Sequence, residues 1–179
     1  MKNKKVIAFF ACEAGNGGKE LGWELRTRLE KLCKAINDPK FDGATVLIVS
    51  GAAGFNPMSL YSELVTAYLR TYIVVPLDVI VVPYDTRSTA DEIDAFENWA
   101  RYHKSYDIWA ASSDYHMERI RRLWEIRHGR KVGSILLCMP RTLYIRKRML
   151  LEYPKNWLLH TPAWFQSVLG QVMRRLKLI

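Results

Sequence analysis

The feature of this 179-residue chain that most restricts its fold is an alternation of two hydrophobic periods. Short apolar runs read as strands: VIAFFAC (6–12), ATVLIVSG (44–51), LDVIVVPY (77–84), YDIWAASS (106–113) and KVGSILLCMP (131–140). Between them lie helical patterns: GKELGWELRTRLEKLCKAIND (18–38), MSLYSELVTAYLRTY (58–72), TADEIDAFENWARYH (89–103) and YHMERIRRLWEIRHG (115–129). In the first of these, Leu21, Leu25, Leu29, Leu32 and Ile36 recur at helical spacing. The strand runs are nearly unbroken in apolar character, as strands buried on both faces require.

Strands separated by helices pair in parallel, because a parallel crossover needs a dozen or more residues. Right-handed crossovers then place helices on both faces. The expectation for residues 1–142 is a Rossmann-like three-layer α/β/α sandwich around a mostly parallel five-stranded sheet. No internal repeat or low-complexity tract interrupts it. After Pro140 the alternation stops, and residues 143–179 are expected to be a basic, amphipathic helical extension packed on the domain or in a homodimer. There LYIRKRMLLEY reads as helix, and Thr161–Pro162 reads as an N-cap followed by proline at the first helical position.

The longest apolar runs are too short to span a bilayer. The basic start, the apolar run 6–12 and Cys12 imitate a secretion signal, but the run is short and Glu13 closes it, so a first strand fits better. A cytoplasmic location is expected. Cys12, Cys33 and Cys138 have neither metal nor disulfide spacing and read as buried thiols. The net charge is +9, yet residues 143–179 hold seven lysines and arginines against one carboxylate. The basicity therefore belongs to the tail, and no specific nucleic-acid module is expected.

In a doubly wound sheet ligands bind beyond the carboxyl ends of the strands, where the strand order reverses. Four loops should meet there: EAGNGGKE, SGAAGFNP, YDTRSTADE and SSDYHMER. The first, with Gly17 at its centre, lets backbone N–H groups approach an anion but matches no nucleotide fingerprint. Ser50 and Gly51 follow the second strand directly, and Glu63 lies in the next helix. RSTADE holds two overlapping capping boxes, Ser88 with Asp91 and Thr89 with Glu92. Arg87 stands just before that helix, where its positive end repels cations; an anion held between the two would resolve the conflict. In SSDYHMER, Ser113 or Asp114 can cap a helix, which puts His116 in the first turn and Arg119 one turn on. The dipole favours a neutral His116, able to act as base or donor, and Arg119 can fork onto phosphate or carboxylate. The surface alternative is that Arg119 pairs with Glu118 or Asp91. The histidines have no zinc spacing, and no metal site is expected.

The loops in this order resemble the YdcF-like domain family. The resemblance spans about residues 5–140 and rests on Arg28 and Leu29 in TRLEKLCKA, Ser50 and Gly51 in VSGA, Ser62 and Glu63 in YSEL, Thr89 in RSTADE, and Ser112, Ser113, Tyr115, His116 and Arg119 in SSDYHMER. It departs at Ala52, where the family has a second glycine, and at Asp91–Glu92, where the family has Glu-Asn. The resemblance implies a Rossmann-like sandwich with its shared polar residues in one pocket; it implies no particular reaction.

Two functions are weighed. In the first, the pocket binds a small anionic molecule, phosphorylated or nucleotide-like, with S-adenosylmethionine as one example, and acts on it by transfer or hydrolysis. His116, Glu63 and Asp91 are then the candidate catalytic residues, and Gly17, Ser50, Gly51, Arg87, Thr89, Glu92, Ser112, Ser113 and Arg119 hold the ligand. In the second, a non-catalytic interaction or a cell-envelope-related role runs through the basic tail, with residues 155–179 contacting an anionic membrane surface or a partner.

Overall fold

The first strand, β1 (Lys5–Phe9), buries Val6, Ile7, Ala8 and Phe9 completely. A strand so enclosed must lie mid-sheet with both faces covered. The computed structural model describes residues 5–74, 78–103, 107–140 and 142–158. The chain divides into two compact units, Met1–Met139 and Pro140–Ile179.

In the first unit, β1 is followed by a small antiparallel pair, β2 (Ala14–Gly15) with β3 (Glu20–Leu21), and then by helix α1 (Trp23–Ile36). Next come β4 (Thr45–Ala52), α2 (Leu60–Tyr72), β5 (Asp78–Thr86), α3 (Thr89–Tyr102), β6 (Asp107–Ser113), α4 (Asp114–His128) and β7 (Gly133–Leu137). The main sheet has five parallel strands in the order β5-β4-β1-β6-β7. Helices α1 and α2 pack together, as do α3 and α4, one pair to each face. This is the three-layer α/β/α sandwich that the alternation implied.

The central strands β1 and β4 carry the core, with Val46, Leu47, Ile48 and Val49 fully buried beside β1. Each such side chain contributes roughly 1.5–3 kcal/mol by burial. Helix α1 adds Leu25, Leu29, Leu32 and Ile36 of the stripe read from the sequence, while its first member, Leu21, is buried from β3. Strand β5 is an edge, so Val81 and Tyr84 stay exposed. Its register against β4 slips between Val49 and Gly51, so an extra β5 residue is accommodated around Pro83. Proline has no ladder donor, and an edge bulge is where a strand tolerates it.

Two local expectations differ. The helix expected from residue 18 begins at Trp23, because Gly15–Gly18 turn a hairpin instead. Gly18 has φ +87°, and a Cβ there would come within 2.6 Å of the Gly54 carbonyl oxygen. Nor are all three cysteines buried: Cys33 is, Cys12 is half-buried, and Cys138, just past edge strand β7, is exposed.

In the second unit, α5 (Leu143–Leu158) opens with the Thr142 hydroxyl accepting the Ile145 N–H. It carries Pro154 inside its span. The last helix expected from Thr161 lies outside the described residues. Among the described residues no helix is long and apolar enough to cross a membrane.

Candidate functional site

The chain leaves β1 for β4 on one side and returns to β6 on the other, so the strand order reverses between β1 and β6. The crevice expected there is filled from α1. Arg28 and Glu24 are each only 3% exposed, although both are charged. The Arg28 Nη1 donates to the carbonyls of Phe10 (3.3 Å) and Ala11 (3.2 Å) and to Ser112 Oγ (3.4 Å). Its Nη2 donates to Glu24 Oε1 (2.7 Å) and to Tyr115 Oη (3.4 Å). The Tyr115 phenol donates to the same carboxylate oxygen. Burial opposes the Arg28 charge, but Cys12, Glu24 and Tyr115 outweigh it and hold the guanidinium pKa above its ordinary value. Burial pushes the Tyr115 phenol up to about 12, with Glu24 adding to the effect. One guanidinium thus satisfies the carbonyls that diverging strands leave without a ladder partner.

Beside this plug, on the α3 side, a cavity of about 290 Å³ remains open. Ala11 and Cys12 after β1, and Ala52 and Ala53 at the end of β4, form small-residue walls. Thr86, Arg87, Ser88, Thr89 and Glu92 come from the end of β5 and the start of α3, and Arg119 from α4. Helix α3 is capped by Ser88, whose Oγ accepts the Asp91 N–H at 3.3 Å, while Asp91 Oδ2 accepts the Arg87 N–H at 3.0 Å. The overlapping box does not form. The Thr89 hydroxyl meets His116 Nε2 at 3.2 Å, and Glu92 Oε1 accepts the Ala11 N–H at 2.8 Å. Both members therefore turn from local capping to tertiary contacts at the strand ends.

Glu92 is 5% exposed, and burial raises its pKa to about 8, against the opposing pull of the Ala11 N–H, Arg28 and Arg119. At neutral pH it is mostly a neutral carboxylic acid, with one oxygen accepting and the other able to donate. Its charge then does not cancel those of Arg87 and Arg119 in the cavity wall.

Of the residues singled out from sequence, Arg87, Thr89, Glu92 and Arg119 come together in this wall. His116 stands behind it, reaching it through Thr89. Ser112 belongs to the Arg28 cluster. Of the two residues able to cap α4, Ser113 stands at the cap position without a side-chain capping bond and lies beside Tyr115, and Asp114 Oδ1 accepts the Tyr115 N–H. Ser50 donates to Asp85 Oδ1 at 3.4 Å, and a Cβ on Gly51 would strike that same Asp85 oxygen at 2.3 Å. The strand-end glycine therefore answers to Asp85, which the β5 bulge brings in. Gly17 is exposed on the hairpin, Glu63 is exposed in the first turn of α2, and Asp91 serves the α3 cap; none of the three lines the cavity. Sequence reading passed over Glu24 and read Cys12 as a core thiol. An i,i+4 Glu–Arg pair is normally surface; here its place on the same helix as a leucine stripe was the available signal. Among the described residues no group of three His, Cys, Asp or Glu side chains is placed to hold a metal ion.

Fold and site together define a doubly wound α/β/α protein with a polar cavity at the carboxyl end of its sheet. No family model, no curated protein and no solved structure matches the chain.

Proposed function

We propose that the cavity binds a small phosphorylated molecule and that the protein acts on it by hydrolysis or transfer. The observation that carries this reading is the company kept by Glu92: a carboxyl neutral at neutral pH, beside Arg119, at the first turn of a 14-residue helix that Arg87 precedes. Two guanidinium groups and a positive helix end attract a phosphoryl group. A neutral acid among them donates a hydrogen bond to it without repelling it. The volume of about 290 Å³ lies at the small end of ligand sites, which suits a phosphoryl or sugar-phosphate group better than a whole nucleotide or S-adenosylmethionine.

The resemblance to the YdcF-like domain family implies a shared polar pocket at this end of the sheet and no particular reaction. Where that family has an asparagine, the protonated Glu92 supplies a comparable donor and acceptor pair. In this reading Glu92 takes the acid–base role first weighed for Glu63 and Asp91, and His116 positions Thr89.

Thermal unfolding and calorimetry with inorganic phosphate, sugar phosphates, nucleotides and S-adenosylmethionine test the proposal. At a hundred times Kd a ligand stabilises by about 2.7 kcal/mol. Phosphate-bearing compounds should stabilise the protein, and Arg119→Ala should lose the effect. No stabilisation by any of these compounds would end the reading.

A further inference from the structure

The cavity wall holds a group that phosphate binding leaves unused. Cys12 stands two residues past the side chain of Phe10 at the carboxyl end of β1, half-buried, and contributes to the same wall as Glu92, Arg87 and Arg119. The buried Arg28 guanidinium lies in its electrostatic field, fixed in place by Glu24, Tyr115, Ser112 and two carbonyls. A fixed cation beside a thiol favours the thiolate, the nucleophilic form.

We propose that Cys12 is the nucleophile of this site and Glu92 its proton donor, acting on a phosphate monoester held by Arg87, Arg119 and the first turn of α3. The proposal rests on the phosphate reading of the cavity. In the first step the Cys12 sulfur attacks phosphorus: an S–P bond forms, the bond to the ester oxygen breaks, and the Glu92 carboxyl passes its proton to the departing alcohol oxygen. In the second, water attacks the phosphocysteine and gives a proton to the Glu92 carboxylate. The S–P bond breaks, inorganic phosphate leaves, and the thiolate and the carboxylic acid are restored. The net change is ester plus water to alcohol plus phosphate, with no redox partner. The small residues Ala11, Ala52 and Ala53 leave room for the phosphoryl group in the same cavity wall as Cys12.

The test uses the full chain with p-nitrophenyl phosphate and with phenyl phosphate, whose leaving group needs protonation far more. Acid-quenched protein is examined by intact mass for a phosphoryl adduct and by peptide mapping for its position. The expected result is an adduct on Cys12 and hydrolysis of both esters. Cys12→Ser and Cys12→Ala should abolish both signals while inorganic phosphate still raises their unfolding temperature. Glu92→Gln should slow phenyl phosphate by about a hundredfold or more, in the range of general-acid contributions, and p-nitrophenyl phosphate much less. If phosphate stabilises the wild type but neither adduct nor hydrolysis is seen, or if both survive in Cys12→Ser and Cys12→Ala, the nucleophile assignment is wrong and the binding site stands. If phosphate fails to stabilise the wild type, the site reading itself falls.

Discussion

Glu92 on α3 accepts the backbone N–H of Ala11, just past β1, at 2.8 Å. That bond fastens the first turn of a helix to the carboxyl end of the central strand, and it occupies one oxygen of a nearly buried carboxyl. Burial outweighs the bond and the neighbouring arginines, so the group holds its proton to about pH 8. The pair joins fold to site: the contact that positions α3 also sets the protonation of the cavity wall.

Stability should therefore depend on pH through Glu92. Between the ordinary carboxyl value of 4.5 and the folded value of about 8, the native state keeps a proton that the unfolded chain has released. The favourable contribution is complete below the lower value, declines as pH rises through the window, and is gone above the upper one. At about 1.4 kcal/mol per pKa unit the loss amounts to a few kcal/mol. Urea midpoints of the wild type should fall across this range relative to those of Glu92→Gln, which has no proton to lose there. Parallel curves would show that Glu92 is ionised in the native state at neutral pH. Phosphate affinity should weaken only as pH rises through about 8, where the carboxylate charge returns to the cavity of the folded protein.

The plug at the switch point leads to a stability prediction of a different kind. Removing one member of a buried ion pair leaves the other without its counter-charge and costs about 3–5 kcal/mol. Arg28→Met should lose that much, since Glu24, the Phe10 and Ala11 carbonyls and Tyr115 all forfeit a donor. Combining it with Glu24→Gln should recover part of the loss, because no bare carboxylate then remains. Chemical denaturation of the three variants checks both statements; equal losses in single and double variants would mean the carbonyl contacts dominate.

The layers and the parallel sheet were legible because two periods, continuous apolar runs and helical stripes, alternate without ambiguity. The α3 boundary at Thr89 was legible from Ser88 and Asp91, whose types report local capping. Residues whose role depends on distant partners were not. Nothing within a few positions of Glu92 shows that it bonds to Ala11, 81 residues away, in place of Thr89's cap. Gly51 looked like a turn or ligand glycine, yet its constraint is Asp85, delivered by a bulge that no local pattern announces. Arg28 and Glu24 carry types that normally face water, and only the divergence of β1 and β6 makes a place for them inside.

Thr89 and His116 form a buried polar pair, Oγ1 to Nε2 at 3.2 Å, and Thr89 also lines the cavity. Thr89→Val keeps the shape and removes the hydroxyl. It should destabilise the fold by about 1–3 kcal/mol, the range for leaving a buried group without its partner, and it should weaken phosphate binding. Thr89→Ser should preserve both properties. If valine costs stability but leaves phosphate affinity intact, the hydroxyl serves His116 alone and does not reach the ligand.

The glycine-rich hairpin separates two roles that its sequence left together. Gly17 has φ +62° with nothing within 4 Å of where a Cβ would stand, whereas Gly18, at φ +87°, would press a Cβ against the Gly54 oxygen and the Asn56 nitrogen at 2.6 and 2.8 Å. Left-handed backbone costs an L-residue about 1–2 kcal/mol, so Gly17→Ala should lower stability by that amount. Gly18→Ala should lose distinctly more, because backbone atoms must also move to admit the methyl group, and with them the Asn56 N–H bond to the Gly18 carbonyl at 3.0 Å. Thermal unfolding ranks the two. Phosphate affinity in Gly17→Ala should match the wild type, since the hairpin tip stands outside the cavity wall; a loss of binding with the fold intact would move an anion contact into this loop.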